Sequence, residues 1–227
     1  MLGDHLQDKM KFYGNPSCLR SAMCLFTAAE KGVDLDSHYV DPNGGAGSAE
    51  VQALAPHGLL PALKDVDFVV CGQEGIMSYL NDKGFGPSLS PRNGVVRAIM
   101  YQWNQLATNN AMPAVSGIMA GGGDAAAASA CFDLLNSHLA SKSNPALRGD
   151  FICGGFSFAD VHWAAMAQGC MLADSSDIVE SRPAVAKWWG LVKSHPSTSK
   201  ENIRAYDVLP TKTDISGNSL RDVQINV

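Results

Sequence analysis

The segment Asp82 to Arg92 (DKGFGPSLSPR), rich in Gly, Pro and Ser, separates two kinds of hydrophobic periodicity. Before it, short apolar runs alternate with helical stripes; after it, to about residue 195, every stripe repeats at helical spacing. A chain written this way folds into a small α/β unit followed by an all-helical one. The expected boundaries are 9–82 for the first domain and 93–196 for the second, with 197–227 a polar, aperiodic tail laid over the surface.

Within the first unit, Lys11 to Gly14 reads as a strand stopped by Asn15-Pro16. From Leu19, the positions Leu19, Ala22, Met23, Phe26 and Ala29 mark a helix running toward Gly32. His38 to Val40 is a weaker strand, followed by the glycines of residues 44–47 and a short helix over Ser48 to Ala55. Leu59-Leu60-Pro61-Ala62-Leu63 is apolar around a proline, which cannot donate to a ladder and so marks a strand start or a special bond. Phe68 to Cys71 completes a hairpin through the turn at 64–67, and Gly72 to Asn81 is a helix with Ile76, Met77 and Leu80 on one face. The order is βαβαββα.

In the second unit, Val95, Val96, Ile99, Trp103 and Leu106 stripe one helix and Cys131, Leu134, Leu135 and His138 another, with Gly121-Gly122-Gly123 between them. Ser157 with Asp160 three residues on is a capping box, and Phe156 is placed to staple against Val161. Pro183 opens a last helix carrying Val185, Trp188, Trp189 and Val192, which ends before Pro196.

Composition narrows the partners. A formal net charge of −5 with scattered basic residues argues against nucleic acid. No apolar run reaches the roughly 20 residues that span a bilayer, and residues 1–8 lack the pattern of a signal peptide, so the expected location is cytoplasmic with no membrane partner. The cysteines, Cys18, Cys24, Cys71, Cys131, Cys153 and Cys170, show neither C-x-x-C nor zinc spacing, and the histidines are isolated. Reduced, mostly structural thiols and no metal are expected.

Two segments carry a family resemblance. Leu54-Ala55-Pro56-His57-Gly58-Leu59-Leu60-Pro61-Ala62-Leu63 is similar to the "NPxGxVPxL" run of glutathione transferases, and Phe156-Ser157-Phe158-Ala159-Asp160 is similar to their "xSxAD" helix cap. The whole order of elements, from Lys11 to Pro196, resembles that superfamily: a thioredoxin-like βαβαββα domain followed by an all-helical domain. The resemblance implies a cis peptide between Leu60 and Pro61, turning the Leu60 backbone outward to pair with the cysteinyl part of glutathione by strand addition.

It also implies that the residue governing the thiol of glutathione lies at the start of the first helix, in Asn15-Pro16-Ser17-Cys18-Leu19-Arg20. Aligned on Pro16 and Arg20 that position falls on Asn15, whose amide donates; a small change of register gives the role to Ser17 or to Cys18. A hydroxyl or amide stabilises glutathione's own thiolate, whereas a cysteine favours mixed disulfides. At the next helix start the family's Glu-Ser is replaced by Gly72-Gln73-Glu74, where Gln73 donates to the γ-glutamyl carboxylate and Glu74 substitutes for the missing acid. Leu59 stands where a lysine or arginine often holds the glycine carboxylate, leaving His57 or Lys64 nearby.

The expected function is therefore a glutathione transferase-like enzyme. It would use glutathione as co-substrate and direct its thiolate to a small electrophilic or hydrophobic molecule held by Tyr101, Asn104 and Met112, within a homodimer. The alternative is a transferase-like binding module or hydrophobic-ligand carrier that has lost glutathione chemistry, which the changes at Leu59 and Gly72-Gln73 favour.

Overall fold

The computed structural model describes residues 9–15, 17–40, 48–55, 58–141 and 143–195. Strand β1 (Met10–Gly14) leads through helix α1 (Leu19–Glu30) to β2 (Leu35–Tyr39) and α2 (Ser48–Leu54), and then to the hairpin of β3 (Ala62–Asp65) and β4 (Phe68–Cys71) and helix α3 (Gln73–Lys83). The sheet order is β2-β1-β3-β4. β1 and β2 run parallel, as strands joined by a crossover helix must, and β3 is antiparallel to both of its neighbours. The period of two in β1 and β3 sorts their side chains: Phe12 and Leu63 enter the main core, while Tyr13 and Ala62 join Val40 and Ala55 on the other face. Pro61 sits just ahead of β3, so its missing N–H costs the ladder nothing.

The rest of the described chain is helical outside its connecting loops, apart from two short bridges over 151–155. It comprises α4 (Gly94–Leu106), a π-helical turn (Ala107–Ala111), α5 (Met112–Met119), α6 (Ala125–Ala140), α7 (Phe158–Leu172), α8 (Asp177–Glu180) and α9 (Pro183–Ser194). The β2 strand begins three residues earlier than the sequence suggests, and the π turn interrupts what reads as ordinary helix. The tail at 197–227 lies outside the described residues.

The two halves share one core. A single apolar cluster runs from Phe12 through α1 and α3 to Trp163 of α7 and Val192 of α9. Helix α1 is its centre: every residue of it except Arg20 is buried. At its end the buried Lys31 donates through Nζ to the carbonyls of Gly86 and Pro87 at 3.3 and 2.9 Å, fixing the connection between the halves.

Asp160 ties the helical half together. Its Oδ2 accepts from the Ser157 amide at 2.9 Å, the returning half of a capping box whose other half is the Asp160 amide donating to the Ser157 side chain, and also from the Ser157 hydroxyl at 3.1 Å. Its Oδ1 accepts from the Ile152 amide and from Trp188 Nε1 at 3.0 and 2.9 Å. Burial raises its pKa to about 6, against the opposing pull of these donors. Phe156, expected as a staple, stacks on His195 with ring centroids 4.3 Å apart and meets Phe151 edge-on.

Candidate functional site

The sheet brings three features to one place: the end of β1, the start of α1 and the Leu60-Pro61 peptide, which is cis. Gly14, Asn15, Ser17, Cys18, Ser21, Val40 and Leu60 line a cleft of about 290 Å³ between them. Gly14 is required here, because a Cβ would come within 2.7 Å of both the Phe12 ring and Ser21 Oγ. Among the described residues the Leu60 amide and carbonyl have no hydrogen-bond partner, so both remain free for an extended peptide.

Asn15 is held from three sides. Its amide donates to Ser21 Oγ at 3.1 Å, its carbonyl accepts from the Cys18 amide at 2.8 Å, and its Oδ1 accepts from the Ser17 amide at 2.9 Å. The side chain thus closes a turn with its oxygen, leaving the NH₂ group as its unused donor. The Ser17 hydroxyl has no partner among the described residues.

Cys18 is the N-cap of α1, with φ −89° and ψ 124°, and its side chain does not cap the helix. A serine or aspartate there folds back onto a helix amide; this thiol leaves the amides of the first turn uncovered at the positive end of the helix. Cys18 and Cys71 are half-exposed and the other cysteines buried, and all are free thiols. Cys71 Sγ lies 3.6 Å from the Leu54 carbonyl and is turned into the sheet packing.

Cys18 also borders a second groove of about 220 Å³, lined further by Leu19, Arg20, Thr108, Met112, Pro113 and Ser116. Of the residues expected to shape a second-substrate pocket, Met112 lines this groove. Tyr101 is 55% exposed and Asn104 only 5% exposed, and neither lines this groove. Arg20, Thr108 and Ser116 were missed in sequence. A lone arginine in the first turn of an otherwise apolar helix was the available signal.

At the start of α3, Gln73 is buried, whereas the Glu74 side chain is largely exposed. Glu74 Oε1 is hydrogen-bonded to His162 Nε2 of α7 at 2.9 Å, while His162 Nδ1 lies 2.7 Å from the Phe158 carbonyl. The His162 hydrogen bond holds the Glu74 carboxyl below its ordinary pKa, with burial opposing it. The acid expected to meet a ligand amine is thus one half of a bond between the two halves of the molecule. His57 lies outside the described residues.

No family model matches the chain. Among curated proteins it is 28% identical over 211 residues to glutathione S-transferase 3 of Zea mays, covering 84% of this chain and 92% of that one. It is 26% identical over 197 residues to glutathione S-transferase F14 of Arabidopsis thaliana, covering 79% and 78%. Among solved structures, glutathione S-transferase III in its apo form superposes with a TM-score of 0.71 at 25% identity, over 89% of this chain and 97% of that one. Over most of its length the chain is similar to glutathione S-transferases in both sequence and fold.

A shorter match, 36% identical over 97 residues and covering 46% of the relative, is to a stringent starvation protein A homolog of Coxiella burnetii. The departures at Leu59 and Gly72 prove to be one feature of this chain. Gly72 has φ +83°, and a Cβ there would lie 2.8 Å from Leu59 Cδ2, so the leucine fills the space a larger residue at 72 would need.

Proposed function

We propose that this chain is a glutathione-dependent enzyme whose chemistry takes place at Cys18. The tripeptide lies in the cleft with its backbone against Leu60 and its sulfur at the open N-terminus of α1. The observation that carries this reading is that Cys18 borders both the cleft and the second groove. A thiol so placed suits glutathionyl exchange. Its thiolate attacks the glutathionyl sulfur of a mixed disulfide, the S–S bond breaks, and the departing thiolate takes a proton from solvent. A second glutathione thiolate then attacks the Cys18–glutathione bond, giving oxidised glutathione and restoring Cys18. Negative charge on sulfur at this point faces the uncovered helix amides.

One observation favours a second reading. The Asn15 oxygen is fixed by Ser17, which aims the remaining NH₂ donor of a rigid side chain. That donor, with the Ser17 hydroxyl, suits stabilisation of glutathione's own thiolate for addition to an electrophile. Exposed Val66, Phe68 and Val95 offer apolar surface for the homodimer that belongs to the same proposal.

Turnover of a glutathione mixed disulfide by reduced glutathione, and conjugation of glutathione to an activated chloroarene, should be measured in the wild type, Cys18→Ser and Asn15→Ala. Loss of disulfide turnover in Cys18→Ser, with Asn15→Ala retaining it, is expected. Loss of conjugation in Asn15→Ala, with Cys18→Ser fully active, would transfer the chemistry to Asn15. Absence of glutathione binding at millimolar concentration would contradict both readings.

A further inference from the structure

We propose that the second groove selects a substrate bearing a carboxylate, and that Arg20 is the residue that reads it. The inference rests on the reading that Cys18 is the reacting thiol, and adds the chemical class of what meets it. The groove begins at Cys18, and its floor includes the residue of α1 that escapes burial, Arg20. Half-buried at the edge of the groove, its guanidinium is accessible to a bound anion, and an Arg–carboxylate pair offers two parallel hydrogen bonds. Among the described residues Arg20 has neither an ion pair nor a hydrogen bond. Two other arginines have acceptors: Arg182 donates to Asp133 at 2.8 Å and to the carbonyls of Ile178 and Ser129, and Arg97 donates to those of Pro91 and Arg92.

The wall facing Arg20 adds donors. Ser116 of α5 is exposed, and its hydroxyl is unused among the described residues. Thr108 sits in the π turn, a local departure from the α-helix that recurs at functional sites. Its Oγ1 is buried without a partner, although the residue itself lines the groove. Rotation about χ1 exchanges the methyl and hydroxyl of a threonine, so an acceptor in the groove can draw this hydroxyl out of an unsatisfied position. Met112 and Pro113 supply apolar walls. One cation, two hydroxyl donors and no acid among the lining residues fit a small organic acid, its carboxylate on Arg20 and its reacting atom toward Cys18 Sγ.

The test compares two alkylating probes of nearly equal size, iodoacetate and iodoacetamide, on the reduced full chain. Modification at Cys18 is followed by peptide mass spectrometry, with free glutathione as the unguided reference. The iodoacetate-to-iodoacetamide rate ratio at Cys18 is expected to exceed that of glutathione by about tenfold, the scale of one charge-assisted hydrogen bond. It should fall to the glutathione value in Arg20→Gln, fall partway in Thr108→Val, and be retained in Arg20→Lys more than in Arg20→Gln. A Cys18 ratio equal to that of glutathione, or one that survives in Arg20→Gln, would overturn the proposal. Because labelling needs no glutathione, its outcome is separate from whether the cleft binds the tripeptide.

Discussion

Leu59 and Gly72 flank the hairpin of β3 and β4, and neither is intelligible alone. The positive φ at 72 and the leucine side chain over it make a glycine necessary there, and that leucine stands where the sequence resemblance leads one to expect a cation. Leu59 is 45% exposed, so a longer side chain at this position has room to extend into solvent. Leu59→Lys is accordingly expected to raise glutathione affinity by about tenfold, one charge-assisted contact to the glycine carboxylate. Calorimetric titration of the two proteins checks this, and an unchanged dissociation constant would mean that position 59 does not reach the ligand. At this scale sequence reading stopped short in an instructive way. Asn15, Ser17 and Cys18 were all visible as candidates, but their ranking depends on which side chain is used up by the turn and which faces both spaces. The Glu74–His162 bond was invisible, since residues on α3 and α7 meet only after the two halves have packed.

At the level of elements, most of the architecture was legible. β1, β4 and α1 have clear apolar periods, the proline at 61 gave the start of β3, and the Ser157–Asp160 spacing gave the start of α7. The π turn at 107–111 was not legible, because one widened turn leaves the apolar stripe on both sides intact. The role of Asp160 was only half legible: the cap was local, whereas its bonds to Ile152 and Trp188 come from outside α7. Those bonds lead to a pH prediction. Burial places the folded-state pKa of Asp160 near 6, above its ordinary value of 3.8, so between these values the folded protein holds a proton that the unfolded chain releases. Its contribution to stability is present below pH 4 and is lost as the pH rises through 6. The stability of wild type relative to Asp160→Asn, from urea melts, should fall by up to about 3 kcal/mol over that window. A pH-independent difference would show that its donors hold the carboxylate ionised throughout.

In the whole molecule, the apolar cluster shared by both halves and the position of α1 between sheet and helices predict a single unfolding unit. The four tryptophans, Trp103, Trp163, Trp188 and Trp189, all lie in the helical half, while Cys24 is fully buried in α1. Tryptophan fluorescence and the thiol reactivity of Cys24 should therefore follow one urea transition. Two midpoints would mean that the halves melt separately.

The central claim, that Cys18 is the thiol of a glutathione site, has a direct measurement. The reduced protein is exposed to oxidised glutathione, quenched and mapped by peptide mass spectrometry. The predicted result is a glutathionyl group on Cys18 in large excess over the similarly half-exposed Cys71, and its removal on adding reduced glutathione. Equal modification of Cys18 and Cys71, or none at Cys18, would contradict the account.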